Sequence, residues 1–203
     1  IDESIQLSRM SKQTYLIRIR DLFANLASQL QHDNKAGRVD LNTISEEIIR
    51  PVLQVVYNLP NLENVNLENP NAPGVDLVDK VKRIAFQVTS RVTNQKVLHT
   101  IGKIVENDLY QDYDEFFVIG LIPVTANISV KGWKKATLGK FSFNKKNLLD
   151  TSDLYAKLDY IEIAEVESLL STLERNMGTG EKYGFGALKK GLRTVSDRSA
   201  RQV

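Results

Sequence analysis

Cysteine is absent from the 203 residues, histidine occurs only twice and tryptophan once. Without cysteine the chain can build neither a disulfide framework nor a thiolate metal site, and two histidines are too few for a zinc centre of the His/Cys kind. Long apolar runs are missing as well: nothing approaches the roughly 20 residues of a membrane-spanning helix, so no membrane association is expected. Net charge is small, with 27 Lys plus Arg against 25 Asp plus Glu. The opening residues Ile1, Asp2 and Glu3 are neither Met nor the basic-then-apolar start of a signal peptide. Together with the lack of cysteine, this leads us to expect a module of a longer, cytoplasmic protein.

What is present is the composition of an ordinary folded domain, 42% hydrophobic and 26% charged, which excludes disordered and collagen-like classes. The length suits one medium domain with a tail, or two small ones. The charge is uneven. Residues 181–203 carry six basic and two acidic side chains, so the tail holds +4 and residues 1–180 hold −2. We expect a folded unit over 1–178, divided into a helical pair (1–57) and a sheet core with a closing helix (58–178), followed by a basic, glycine-containing tail or linker (179–203).

Along the chain, Tyr15, Leu16, Ile19, Leu22, Phe23, Leu26, Ala27 and Leu30 recur at helical spacing, which predicts a first helix over 5–31 ending before Gly37. Thr43 or Ser45 can cap a second helix to Tyr57, with Glu46 and Glu47 in its first turn and Pro51 expected to kink it. Residues 58–74, rich in Asn and interrupted by Pro60, Pro70 and Pro73, read as loop around at most one short strand. Val75–Val78 and Ile84–Thr89 predict a hairpin. Thr93 or Asn94 can cap a helix with apolar face Val97, Leu98, Ile101, Ile104, Val105 and Leu109, and Phe116–Val124 reads as a strand covered on both faces. Phe141-Ser-Phe143 alternates like an edge strand. Asp150, Ser152 or Asp153 can open one last helix through Leu173, ending near Gly178. The order predicts an α/β fold, a mixed central sheet flanked by helices.

The chemistry concentrates in the hairpin. With a period of two, Asp76 and Gln87 share one face beside Thr89. A carboxylate and an amide oxygen so placed can hold a hard cation such as Mg2+ (or Mn2+), which takes oxygen ligands. The Val88 carbonyl offers a third oxygen, and Glu47 on the preceding helix a second carboxylate. Asp76 equally suits a strand-end acid capping local backbone, and Gln87 on an apolar strand needs a hydrogen-bond partner whether or not it binds metal. His99 lies off the apolar stripe of its helix, and His32 borders a loop; neither is a catalytic candidate. The glycines around Gly178 and Gly186 lack the Lys-Ser/Thr ending of a phosphate-binding loop.

The succession of a helix bearing Glu, a hairpin with Gly74-Val75-Asp76 and a strand with Gln87 resembles the core of the PD-(D/E)XK nuclease superfamily. More closely, Asn71-x-Pro-Gly-Val-Asp-Leu77, Arg83-Ile-Ala-Phe-Gln-Val-Thr-Ser90, Lys96-Val-x-His-Thr-Ile101 and Leu109-Tyr-x-x-Tyr-Asp114 resemble the SMEK domain family of bacterial multidomain proteins, over about Gln6 to Met177. The resemblance implies a restriction-endonuclease-like core, Mg2+-dependent hydrolysis of phosphodiesters and a place in defence or conflict systems. It implies Asp76, Gln87 and Val88 as metal ligands, with Glu47 assisting. Where the superfamily pattern has Lys after Gln-x, this chain has Thr89. Either the ammonium that would orient the attacking water comes from elsewhere, with Lys96 the first choice ahead of Lys82 and Arg83, or the site is inactive.

Lys131-Gly-Trp-Lys-Lys135 can meet nucleic acid, with Lys131, Lys134 and Lys135 on phosphates and Trp133 stacking on a base. It can equally be a solvated turn whose tryptophan anchors the sheet edge. The expected partners are nucleic acid, DNA before RNA, and further domains of the same polypeptide, with self-association open. A catalytically inactive interaction module and a nucleic-acid sensor are the alternatives to a nuclease.

Overall fold

The computed structural model describes residues 11–35, 41–67, 73–123 and 128–177. The predicted helix start at 5–10, Gly37, Val124 and the tail 179–203 lie outside the described residues.

Two hydrophobic layers sandwich one sheet. The sheet has five strands, β1 (Glu63–Asn64), β2 (Leu77–Asp79), β3 (Ile84–Thr89), β4 (Glu115–Gly120) and β5 (Leu148–Asp150), in sequential order. β1, β2 and β3 pair antiparallel, whereas β4 and β5 add in parallel to β3. Alternation along the strands sends Leu77, Phe86, Val88 and Ile119 to one face and Val78, Ala85, Phe116 and Val118 to the other, as a period of two requires.

Four helices cover the first face: α1 (Lys12–Lys35), α2 (Leu41–Tyr57), α5 (Thr151–Leu158) and α6 (Ile163–Met177). Tyr15, Ile19, Phe23, Leu26 and Leu30 of α1 are buried there with Ile48, Ile49, Val52 and Leu53 of α2. Tyr15 donates its hydroxyl to Glu167 at 2.8 Å and Arg18 pairs with Glu174, tying α1 to α6. The second face is covered by α3 (Asn94–Glu106), through Val97, Ile101 and Ile104, and by the short α4 (Trp133–Ala136). The predicted α/β class, with a mixed sheet between helices, is the architecture observed.

Several boundaries differ from expectation for identifiable reasons. The second helix begins at Leu41, so Glu46 and Glu47 stand beyond its first turn, and it runs through Pro51. The short strand anticipated in the Asn-rich segment is β1. The strand of the apolar run, β4, ends at Gly120, and Leu121 and Ile122 continue the pairing only through amide bonds of 2.9 Å each to the Thr89 and Ser90 carbonyls.

Phe141–Phe143 is not an edge strand. The free edge of β4 is taken by β5, while the Phe141 ring packs on Phe116 and the Phe143 ring meets Trp133 edge to face. The single closing helix is two helices, α5 and α6. In one continuous helix Glu162 and Glu165 would follow Leu158 on the buried face. The break resets the phase, so that Val166, Leu169, Leu170 and Leu173 face inward instead. Of the three candidate caps for α5, Asp150 fills the position, accepting from Ser152 and Asp153 while Asp153 returns a bond to the Asp150 amide, a reciprocal capping box. Likewise Thr93 rather than Asn94 caps α3, accepting the Lys96 N–H at 3.1 Å.

Candidate functional site

The hairpin register pairs Leu77 with Phe86 and thereby sets Asp76 opposite Gln87. Asp76 is held by its main chain on both sides: its N–H donates to the Phe86 carbonyl at 2.8 Å and its carbonyl accepts from Val65 at 3.0 Å. Gly74 makes the approach possible. At φ +84 a Cβ there would stand 3.0 Å from the Lys103 Cβ on α3, a backbone conformation and a spacing that suit only glycine.

Asp76 is 7% exposed, and its side chain accepts three protein hydrogen bonds through its two oxygens. Oδ2 accepts the Val88 N–H at 2.6 Å and the Gln87 Nε2 amide; Oδ1 accepts Asn66 Nδ2 at 3.0 Å. The same Asn66 Nδ2 lies 3.1 Å from Glu46 Oε2, so one amide joins two carboxylates from different elements. Burial first, and then the Glu46 charge, push the Asp76 carboxyl from 3.8 up to about 6, against the Val88 N–H, the Asn66 amide and the Lys96 charge, which pull it down.

The structure thus brings Asp76, Gln87 and Val88 together. Lys96 sits in the first turn of α3, near enough for its charge to favour ionised Asp76. Glu47 is displaced from the role expected of it. Its Oε2 pairs with Arg50 at 2.8 Å and its Oε1 accepts from Asn64 at 3.0 Å, and the carboxylate beside Asp76 is the buried Glu46. Adjacent helical residues point about 100° apart, so a single position decides which one meets the hairpin. Asn66 was also missed: within a segment that read as loop, nothing but its spacing of two from Asn64 marked it.

The other candidate cations stand elsewhere. Arg83 and Lys82 occupy the hairpin turn, about 13 Å or more of strand from Gln87. Arg83 binds Asp114 through two bonds of 2.9 and 3.0 Å and the Gln111 carbonyl at 2.8 Å; its guanidinium is raised by the Asp114 bond. Thr89 turns its hydroxyl to the Arg91 carbonyl at 3.3 Å and takes no part in the cluster.

Lys131, Lys134 and Lys135 are exposed, but Trp133 is 1% exposed and locked against Phe143. It cannot stack on a base without leaving the core, so its role is that of the anchor. The segment is tied to the site end of α3, where the Ser129 N–H donates to Asn94 Oδ1 at 2.9 Å.

Chemically, two carboxylates, an amide and a main-chain carbonyl form an oxygen-rich donor set of the kind Mg2+ or Mn2+ prefers. Among the described residues no three His, Cys, Asp or Glu side chains stand together as a metal group, so a cation here would rest on Asp76 and Glu46, completed by Gln87 Oε1 and the Val88 carbonyl. The donor set fits such an ion.

Residues 18–159 match the SMEK domain. The chain belongs to the SMEK domain family. Asn66, Asp76, Gln87 and Lys96 all fall within the matched span. Neither the curated proteins nor the solved structures contain a match. Among the described residues of this SMEK domain no helix is long and apolar enough to cross a membrane.

Proposed function

We propose that this SMEK domain is a Mg2+-dependent phosphodiester hydrolase, a nuclease module acting as the cytoplasmic effector of a larger bacterial defence or conflict protein, on DNA before RNA. The observation that carries this is the meeting of Asp76 and Glu46 beside Gln87 and the Val88 carbonyl, with Lys96 on the adjoining helix end. Bound there, a divalent cation would polarise the scissile phosphate and acidify a water. Asp76 and Glu46 would fix the ion's position. Lys96 would orient the attacking water and offset charge on the phosphorane, replacing the strand lysine whose place Thr89 holds. The lysines at 131, 134 and 135 would meet the flanking phosphates.

The test is cleavage of plasmid DNA and of RNA by the purified chain with Mg2+ or Mn2+, against Asp76→Ala. The expected result is cleavage by the native chain alone; equal cleavage by both proteins would remove the assignment. Thr89 supports a second reading, a nuclease-like module without turnover that binds a partner or nucleic acid. In that case binding would be salt-dependent and unaffected by Asp76→Ala.

A further inference from the structure

Gln87 Nε2 stands between two oxygens. It donates to Asp76 Oδ2 and, at 3.1 Å, to the main-chain carbonyl of Val88. These are two of the oxygens available to a cation, so the amide's two N–H groups make the contacts that the ion would otherwise make. A primary amide carries two donors on one side and an acceptor oxygen on the other. Half a turn about its terminal bond exchanges them without moving the backbone, because that torsion is broad and roughly two-fold. Gln87 is buried, at 9% exposed, and its backbone is pinned between β2 and β4, so this turn is the cheapest rearrangement open to it.

We propose that the Gln87 side chain is a two-position device that closes the site in the metal-free chain with its NH2 as a stand-in for the cation, and turns over on loading to present Oε1 as a ligand. The inference rests on the cation reading of the site. A glutamate at this position could never close the site in that way, having no N–H to donate, and would be a permanent ligand. The amide therefore sets a threshold: cation binding must displace two hydrogen bonds, one of them to a carboxylate, before the ion gains its amide ligand.

The experiment is a Mg2+ titration of the 15N-labelled 203-residue chain, following the Gln87 side-chain NH2 by NMR, assigned through its own backbone, with calorimetry on the same samples. The expected result is an NH2 protected from solvent exchange without metal, which shifts and loses protection as Mg2+ saturates, and a Gln87→Glu variant that binds Mg2+ about tenfold tighter or more. Mg2+ binding that leaves the Gln87 NH2 protected and unshifted would overturn the switch while leaving the metal site standing. Failure of both native chain and variant to bind millimolar-range Mg2+ would overturn the metal site, and the switch with it.

Discussion

Replacing Asp76 by Asn changes one atom and removes a buried charge, so its effect on stability has a sign that depends on pH. An acid whose carboxyl is raised from 3.8 to about 6 in the folded chain favours folding only while it is protonated in both states. That contribution is complete below about pH 4 and is lost as pH rises through about 6. A shift of roughly two units corresponds to about 3 kcal/mol of folding free energy, forfeited by about pH 8 when the site holds no cation. In Asp76→Asn the amide oxygen can keep the bonds from Val88 and Gln87, but its NH2 faces the Asn66 NH2, so Asn66 must turn over and lose Glu46. We set that loss at about 1 kcal/mol. The variant should therefore be more stable than the native chain by about 2 kcal/mol near pH 8, a rise of about 4–8 °C in Tm for a chain of this size. Near pH 4 it should be equal or less stable. Thermal melts with chelator at the two pH values measure both. A variant destabilised to the same degree at each pH would show that the Asp76 charge is already compensated and that the cluster is a structural hydrogen-bond network.

Four further outcomes follow from the geometry. Lys96→Met should leave Mg2+ affinity within a few fold while lowering the cleavage rate by about 10²–10³, since it removes charge from the phosphorane rather than from the ion; single-turnover kinetics with calorimetry separate the two. Gly74→Ala should cost about 1–3 kcal/mol, seen as a lower urea midpoint, because alanine at φ +84 is strained and its Cβ meets α3 at 3.0 Å. Alanine at Lys131, Lys134 and Lys135 together should flatten the salt dependence of DNA binding by up to about 0.9 per lost phosphate contact with Tm unchanged. Trp133→Ala, by contrast, should cost about 3–5 kcal/mol of stability, and a loss of DNA affinity without loss of stability would return Trp133 to the nucleic-acid surface.

Much of the architecture was legible in local pattern. Period-two alternation placed Asp76 and Gln87 on one face, because side-chain direction in a strand is set by position alone. Helical spacing in α1, α3 and α6 likewise showed most of the residues that would be buried, although Leu98, expected on the apolar face of α3, is exposed. Where the pattern misled, a competing contact had intervened. Phe141 and Phe143 alternate as a strand would, but their rings serve Phe116 and Trp133. The apolar stripe from Leu154 to Leu173 looked continuous until its phase was set against Glu162 and Glu165.

The site divides in the same way. Asp76, Gln87 and the Val88 carbonyl lie in one hairpin, with Lys96 a turn beyond it, and such short-range neighbours are determined by sequence. Whether Glu46 or Glu47 joins them depends on how α2 is rotated against the sheet. That rotation is set by Ile44, Ile48, Ile49, Val52 and Leu53 burying together with α1 and α6, and no local signal encodes it. The same holds for Asn66, whose amide bridges Glu46 and Asp76 only because β1 docks on β2. Trp133 reads alike in sequence as a base-stacking ring or a core anchor, and the burial of its whole side chain against α3 and Phe143 decided between them. Backbone periodicity is a property of neighbours along the chain. The meeting of two carboxylates from a helix and a hairpin is a property of packing, and only the folded core could determine it.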